Sequence, residues 1–159
     1  MLPFFVYGTL LPGQPNHYLW GDAIVQMETA VFPNGRLYDM GSYPMMIEQP
    51  GEQVKGRLIT VHMAAYTAVT VNLDMLEGYD PEQPAASAYR RLERVVQGEN
   101  GRFVTAWIYL GLPKYIKGLP PIPSGDWIAY ATATLQQMNK WWATSNSVAG
   151  LHEVENNER

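Results

Sequence analysis

Tyr89-Arg90-Arg91-Leu92-Glu93-Arg94-Val95-Val96 and Phe103-Val104-Thr105-Ala106-Trp107-Ile108-Tyr109-Leu110 flank the connection Gln97-Gly98-Glu99-Asn100-Gly101. This is the strongest hairpin signal in the chain. Gly and Asn tolerate the backbone angles of a tight reversal, and the flanking runs carry the β-branched and aromatic residues of a half-buried pleated surface. The two runs are expected to be neighbouring strands.

Working outward towards the N-terminus, Gln53 to Val61 alternates as a strand, with Val54, Leu58 and Val61 as core contacts. Tyr43 to Ile47 is a shorter candidate, stopped by Pro50-Gly51. Residues 22–32 read as extended and end at Pro33-Asn34-Gly35, after which Arg36 to Met40 is expected to pair back as a short strand. Such pieces predict antiparallel hairpins closing on themselves. Between them, residues 63–77 carry Met63, Tyr66, Val69, Leu73 and Leu76 at spacings of three and four, an amphipathic helix stopped by Gly78. Glu77 therefore falls in its last turn.

Beyond Leu110, Gly111, Pro113, Gly118, Pro120, Pro121, Pro123 and Gly125 predict a rigid loop wrapping the body. Ser124 or Asp126 could then cap a final helix from about Trp127 to Trp142, whose Leu135, Met138, Trp141 and Trp142 form an apolar stripe expected to dock on the body. The polar tail 145–159 is expected to fray. One domain over residues 1–144 accounts for the rest.

The length of 159 residues suffices for a core without staples, and the absence of cysteine excludes disulfides, thiolate nucleophiles and Cys-based metal sites. His17, His62 and His152 are too scattered for a metal site, so no metal is expected. No dinucleotide fingerprint, Walker loop or Gly-x-Ser-x-Gly elbow occurs, and no cofactor is indicated. A net charge of −4 without a basic run argues against nucleic acid as a partner. The N-terminus lacks the basic flank of a signal peptide, and no apolar stretch approaches the about 18 residues of a membrane span. A cytoplasmic location with no membrane partner is the expectation, as a monomer or weak homodimer.

Tyr7-Gly8-Thr9-Leu10 follows the apolar run Pro3-Phe4-Phe5-Val6, a bare backbone turn at the end of a buried strand. Gly8 can take dihedrals that a residue with a Cβ avoids. The N–H groups of Gly8, Thr9 and Leu10 can then share one concavity and hold a carboxylate. Together with Leu73-Asp74-Met75-Leu76-Glu77-Gly78-Tyr79 and the later Tyr89-Arg90-Arg91, this turn resembles the γ-glutamylcyclotransferase-like family, which includes the AIG2-like proteins. Gly13-Gln14-Pro15-Asn16-His17 and Gly41-Ser42-Tyr43-Pro44 add to the resemblance, which covers about residues 3 to 130.

The resemblance implies an α+β fold: a small mixed β-barrel of about five to seven strands with flanking helices. It also implies an enzyme, a lyase or acyltransferase that cyclises a small-molecule γ-glutamyl amide to 5-oxoproline and releases an amine or amino acid. The substrate's own α-amine attacks its γ-carbonyl, so fold-back geometry, proton transfer and oxyanion donors are all that is required. Glu77 is the implied catalytic acid and base. The helix C-terminus and nearby Asp74 and Asp80 are expected to push its pKa upward. Tyr7, Gly8, Thr9, Leu10 and Tyr109 are the implied substrate-binding residues, with Tyr7 alternatively a plain pocket wall. Arg91 could meet a carboxylate of the substrate or a structural one. The loop 111–125 is expected to border the leaving-group side. A catalytically silent carboxylate-binding or interaction module of the same fold is the competing function.

Overall fold

The computed structural model describes residues 1–144. Its strands are β1 (Phe4–Val6), β2 (Ile24–Phe32), β3 (Gly35–Asp39), β4 (Pro44–Glu48), β5 (Val54–Val61), β6 (Tyr89–Gln97), β7 (Phe103–Gly111) and β8 (Pro121–Ile122). Its helices are α1 (Tyr66–Glu77) and α2 (Trp127–Thr144). Residues 1–127 form one compact unit, and α2 from Ile128 onward belongs to a second. The tail 145–159 and the Trp142 side chain lie outside the described residues. Among the described residues no helix is long and apolar enough to cross a membrane.

Five strands close a barrel in the order β1-β5-β2-β6-β7. The predicted hairpin is its longest ladder, paired from Tyr89↔Gly111 to Gln97↔Phe103, with Asn100 at φ 60° and Gly101 at φ 74° in the reversal. β1 runs antiparallel to β5 through Phe5↔Leu58 and parallel to β7 through Phe4↔Trp107, which makes the barrel mixed. A three-residue strand flanked on both sides has no solvent face. All three of its side chains are buried. Phe4 packs on Trp20 and Tyr66 at ring separations of 5.8 and 5.6 Å, while Phe5 turns to Phe32 at 6.4 Å.

The structure corrects the expected pairing of Arg36 to Met40 with residues 22–32. β2 pairs instead with β5, from Ile24↔Val61 to Phe32↔Val54, and β3 leaves the barrel for a separate sheet of order β4-β3-β8. The longer, better-alternating β5 takes the place beside β2. At Gly35 the chain is pressed on itself, since a Cβ there would lie 2.7 Å from the Phe32 ring and 2.8 Å from Met46 Sδ. Leu37, Met46 and Ile122 then form a solvent-free layer in the second sheet. The loop 111–125 thus contributes a strand, β8, rather than only a wrapping.

The expected helix over 63–77 also starts later. Met63–Ala65 form a 3₁₀ turn, so Met63 is off the helical face and exposed. Val69 and Leu73 carry the buried face of α1, against the cluster of Phe4, Trp20 and Ile59. Leu76 is exposed, not core.

Candidate active site

Gly78 ends α1 in the left-handed conformation (φ 61°, ψ 31°), which most side chains enter only with strain. Its N–H and that of Tyr79 close the helix on the carbonyls of Met75 and Asp74, at 3.2 and 2.8 Å. The last turn is thereby fixed in place. It is also gripped from the barrel, because Arg91 and Tyr109, register partners across β6 and β7, both reach Asp74. Arg91 Nε and Nη2 donate to the two Asp74 oxygens at 2.9 and 3.3 Å, and the Tyr109 hydroxyl donates to Oδ1 at 2.6 Å. The guanidinium lies over the Trp107 ring, 4.5 Å from its centre. Arg91 therefore serves a structural carboxylate. One turn beyond Asp74, Glu77 faces a different space.

That space is a cleft of about 580 Å³ lined by the turn Tyr7-Gly8-Thr9-Leu10, by Glu77 and Gly78, and by Tyr43, Pro44, Tyr89 and Tyr109 among others. All the predicted site residues are brought to it. No described residue hydrogen-bonds or ion-pairs with the Glu77 carboxyl. Burial pushes that carboxyl up to about 7. The direction matches expectation, but desolvation is the cause, and Asp74 and Asp80 do not contribute as supposed. Asp74 is occupied by Arg91.

The turn is scaffolded from behind. Asn16 N–H donates to the Thr9 carbonyl at 2.9 Å and its side-chain amide to Thr9 Oγ1 at 3.0 Å, while Trp20 Nε1 donates to the Leu10 carbonyl at 3.0 Å. His17 Nδ1 meets the same carbonyl at 2.9 Å. These partners take up carbonyls. The N–H groups of Gly8, Thr9 and Leu10 have no acceptor among the described residues. Three unpaired donors in succession are what an anion site needs. The reason for glycine is not the one expected, because Gly8 has no positive φ. A Cβ at Gly8 would instead sit 2.8 Å from Pro44 Cγ.

Three tyrosines complete the inner wall. Tyr7 donates to the Tyr109 carbonyl at 2.6 Å, Tyr89 to the Pro44 carbonyl at 3.1 Å, and Tyr109 to Asp74. Burial above all, with the Glu77 charge contributing, pushes their hydroxyls above the usual phenol range, so they stay neutral. Each proton is already committed to a protein acceptor. The Tyr7 oxygen also accepts from the Met46 backbone N–H, so what the wall offers a ligand is the lone pairs of Tyr89 and Tyr109. Among the described residues no group of three or more His, Asp or Glu side chains could hold a metal ion.

Asn16, Trp20, Tyr43, Pro44 and Tyr89 were not singled out as site residues from the sequence. The signal was available for four of them, in Gly13–His17, Gly41–Pro44 and Tyr89-Arg90-Arg91. Their roles depend on tertiary contacts. The loop 111–125, expected at the leaving-group side, lines no part of the cleft, because β8 draws it to the second sheet.

A family profile described as "Gamma-glutamyl cyclotransferase, AIG2-like" matches residues 4–129. A Vibrio cholerae protein named, provisionally, as a gamma-glutamylcyclotransferase is 36% identical over 129 residues, covering 77% of this chain and 92% of its own. A mouse AIG2-like protein superposes with a TM-score of 0.59 at 26% identity, over 77% of this chain and 86% of that one. YkqA of Bacillus subtilis shares the fold with a TM-score of 0.63 at 21% identity, over 85% of this chain. The chain spans 42% of that protein's length.

Proposed function

The chain belongs to the gamma-glutamyl cyclotransferase, AIG2-like family, and from that premise we propose that it cyclises a γ-glutamyl amide to 5-oxoproline with Glu77 as the sole proton-transfer group. The observation that carries the reading is the pairing, in one cleft, of a partnerless carboxyl near neutrality with three unpaired backbone donors. The donors suit the α-carboxylate of the glutamyl unit. The α-ammonium then falls to Glu77 and to the lone pairs of Tyr89 and Tyr109. Ionised Glu77 removes an ammonium proton, the amine closes a five-membered ring on the γ-carbonyl carbon, and Glu77 returns the proton to the departing nitrogen. A carboxyl with a pKa near the working pH is suited to both steps. Holding the amine against the carbonyl supplies the rest of the acceleration.

The direct test is incubation with a panel of γ-glutamyl amides and detection of 5-oxoproline, for the native chain and for Glu77→Gln. Turnover by the native chain and none by the variant supports the proposal. Binding of 5-oxoproline or glutamate without turnover of any amide would identify a carboxylate-binding module instead.

A further inference from the structure

The two ends of the cleft differ in kind. Its inner wall is made of buried residues, Phe5, Val6, Tyr7 and Tyr109, beside Glu77 and the turn. Its mouth carries Pro15, Tyr43, Met75 and Leu76, and the last three are large apolar side chains left 40%, 75% and 37% exposed. Single exposed apolar residues need no explanation, but three around one opening form a surface for an apolar body. Tyr43 is held there. The Met40 N–H donates to the Tyr43 carbonyl at 3.0 Å, Gly41 sits at φ 105°, and Asp39 Oδ1 accepts from the Gly41 N–H at 2.7 Å, so the β3–β4 tip is a built lip.

Charge points the same way. Among the described residues lining the cleft there is no lysine, arginine or histidine, and the one formal charge is that of Glu77. With the turn occupied by the glutamyl carboxylate, a second carboxylate on the leaving group would find no cation in the lining, whereas an apolar group gains by covering Met75 and Leu76.

We infer that the leaving group is an amine whose substituent is uncharged and apolar, aryl or alkyl, seated on Tyr43, Met75 and Leu76, rather than an amino acid; this rests on the cyclotransferase reading of the same site. The α-nitrogen forms its bond to the γ-carbon as the bond from that carbon to the amide nitrogen breaks. Of the two protons the ammonium gives up, Glu77 carries one to the leaving nitrogen, and the second ends on the released amine or in solvent. No oxidant, reductant or water is consumed.

The test compares 5-oxoproline release by the full chain from γ-glutamylbenzylamide and γ-glutamylglycine. The benzylamide is expected to have a kcat/KM at least about 10-fold higher, the scale on which an apolar pocket discriminates. Tyr43→Ala is expected to narrow that gap, and Met75→Arg to narrow or invert it by giving the glycine carboxylate a partner. Equal or better turnover of γ-glutamylglycine by the native chain overturns the inference and leaves cyclisation standing. A gap unmoved by both variants overturns it too. Release of 5-oxoproline from other γ-glutamyl amides but from neither of these two overturns the inference alone, and release from none of the panel by the folded chain defeats the cyclotransferase reading, and the inference with it.

Discussion

Asp74 and Glu77 stand one turn apart on α1 and are treated in opposite ways. Asp74 accepts from Arg91 at 2.9 and 3.3 Å and from Tyr109 at 2.6 Å, while Glu77 has no partner among the described residues. One carboxylate is spent on position. The other lines the cleft, and if it acts there as proposed, substitutions at the two sites should separate stability from chemistry.

Glu77→Gln retains shape but not basicity, so turnover of any γ-glutamyl substrate should fall by about 10² to 10⁴, the range for a lost general base. Folding should be intact by circular dichroism. Near-native turnover by the folded variant would remove Glu77 from the mechanism.

The pH dependence follows from the same carboxyl, raised by burial to about 7. As a base it acts ionised, so kcat/KM should rise with pH through about 7. Stability runs the other way, because the native state holds a proton that the unfolded chain releases near 4.5. This contribution is complete below 4.5 and lost as pH rises to about 7, on the order of 2 kcal/mol after discounting residual exposure. Glu77→Gln lacks the titration. Its Tm should therefore gain on the native protein between pH 5 and 8, and parallel Tm profiles would contradict the raised pKa.

Asp74→Asn leaves the largely buried Arg91 guanidinium without its counter-charge, at a cost of about 2 to 3 kcal/mol. In a chain of this size that lowers Tm by roughly 4 to 12 °C. A melting curve superimposable on the native one would show that the pair does not hold α1.

Gly8→Ala places a methyl 2.8 Å from Pro44 Cγ, against a ring that has little freedom to yield. The turn must shift, and 5-oxoproline or glutamate should bind at least about 10-fold more weakly by calorimetry, more than a tilt of a few tenths of a kcal/mol explains. Unchanged affinity would place the carboxylate elsewhere.

Asn16→Ala removes the bond to Thr9 Oγ1 while leaving Glu77 untouched. KM should rise several-fold with kcat little altered, since a looser turn weakens substrate and transition state alike. A fall in kcat alone would give Asn16 a role in the chemistry.

The readable parts of this chain were those in which local signals and tertiary demands agree. The β6–β7 hairpin is set by its own Asn100-Gly101 reversal, and Gly78 stops α1 whatever lies beyond it. The excursion of β3 was not legible, because the choice of β5 over β3 as the partner of β2 is a competition between distant segments that one sequence does not display. At the site, the short motifs marked a turn and a carboxylate that the fold brings to one cleft. They did not carry the causes: that Gly8 is required by Pro44 and that Glu77 is perturbed by burial are facts of packing between segments tens of residues apart.

β1 is three residues long, precedes both its partners in the chain, and is paired to β5 and β7 about 50 and 100 residues downstream. It is therefore a latch that nothing local can fasten, and the turn at residues 7–10 is its continuation. Until the latch is home, the unpaired N–H groups of the turn have no wall to face and Tyr7 has no Tyr109 carbonyl to meet. A chain caught before closure lacks the cleft, so if the cleft binds a carboxylate as proposed, ligand affinity doubles as a reporter of completed assembly, and 5-oxoproline should select the closed form from any mixture of partly folded ones.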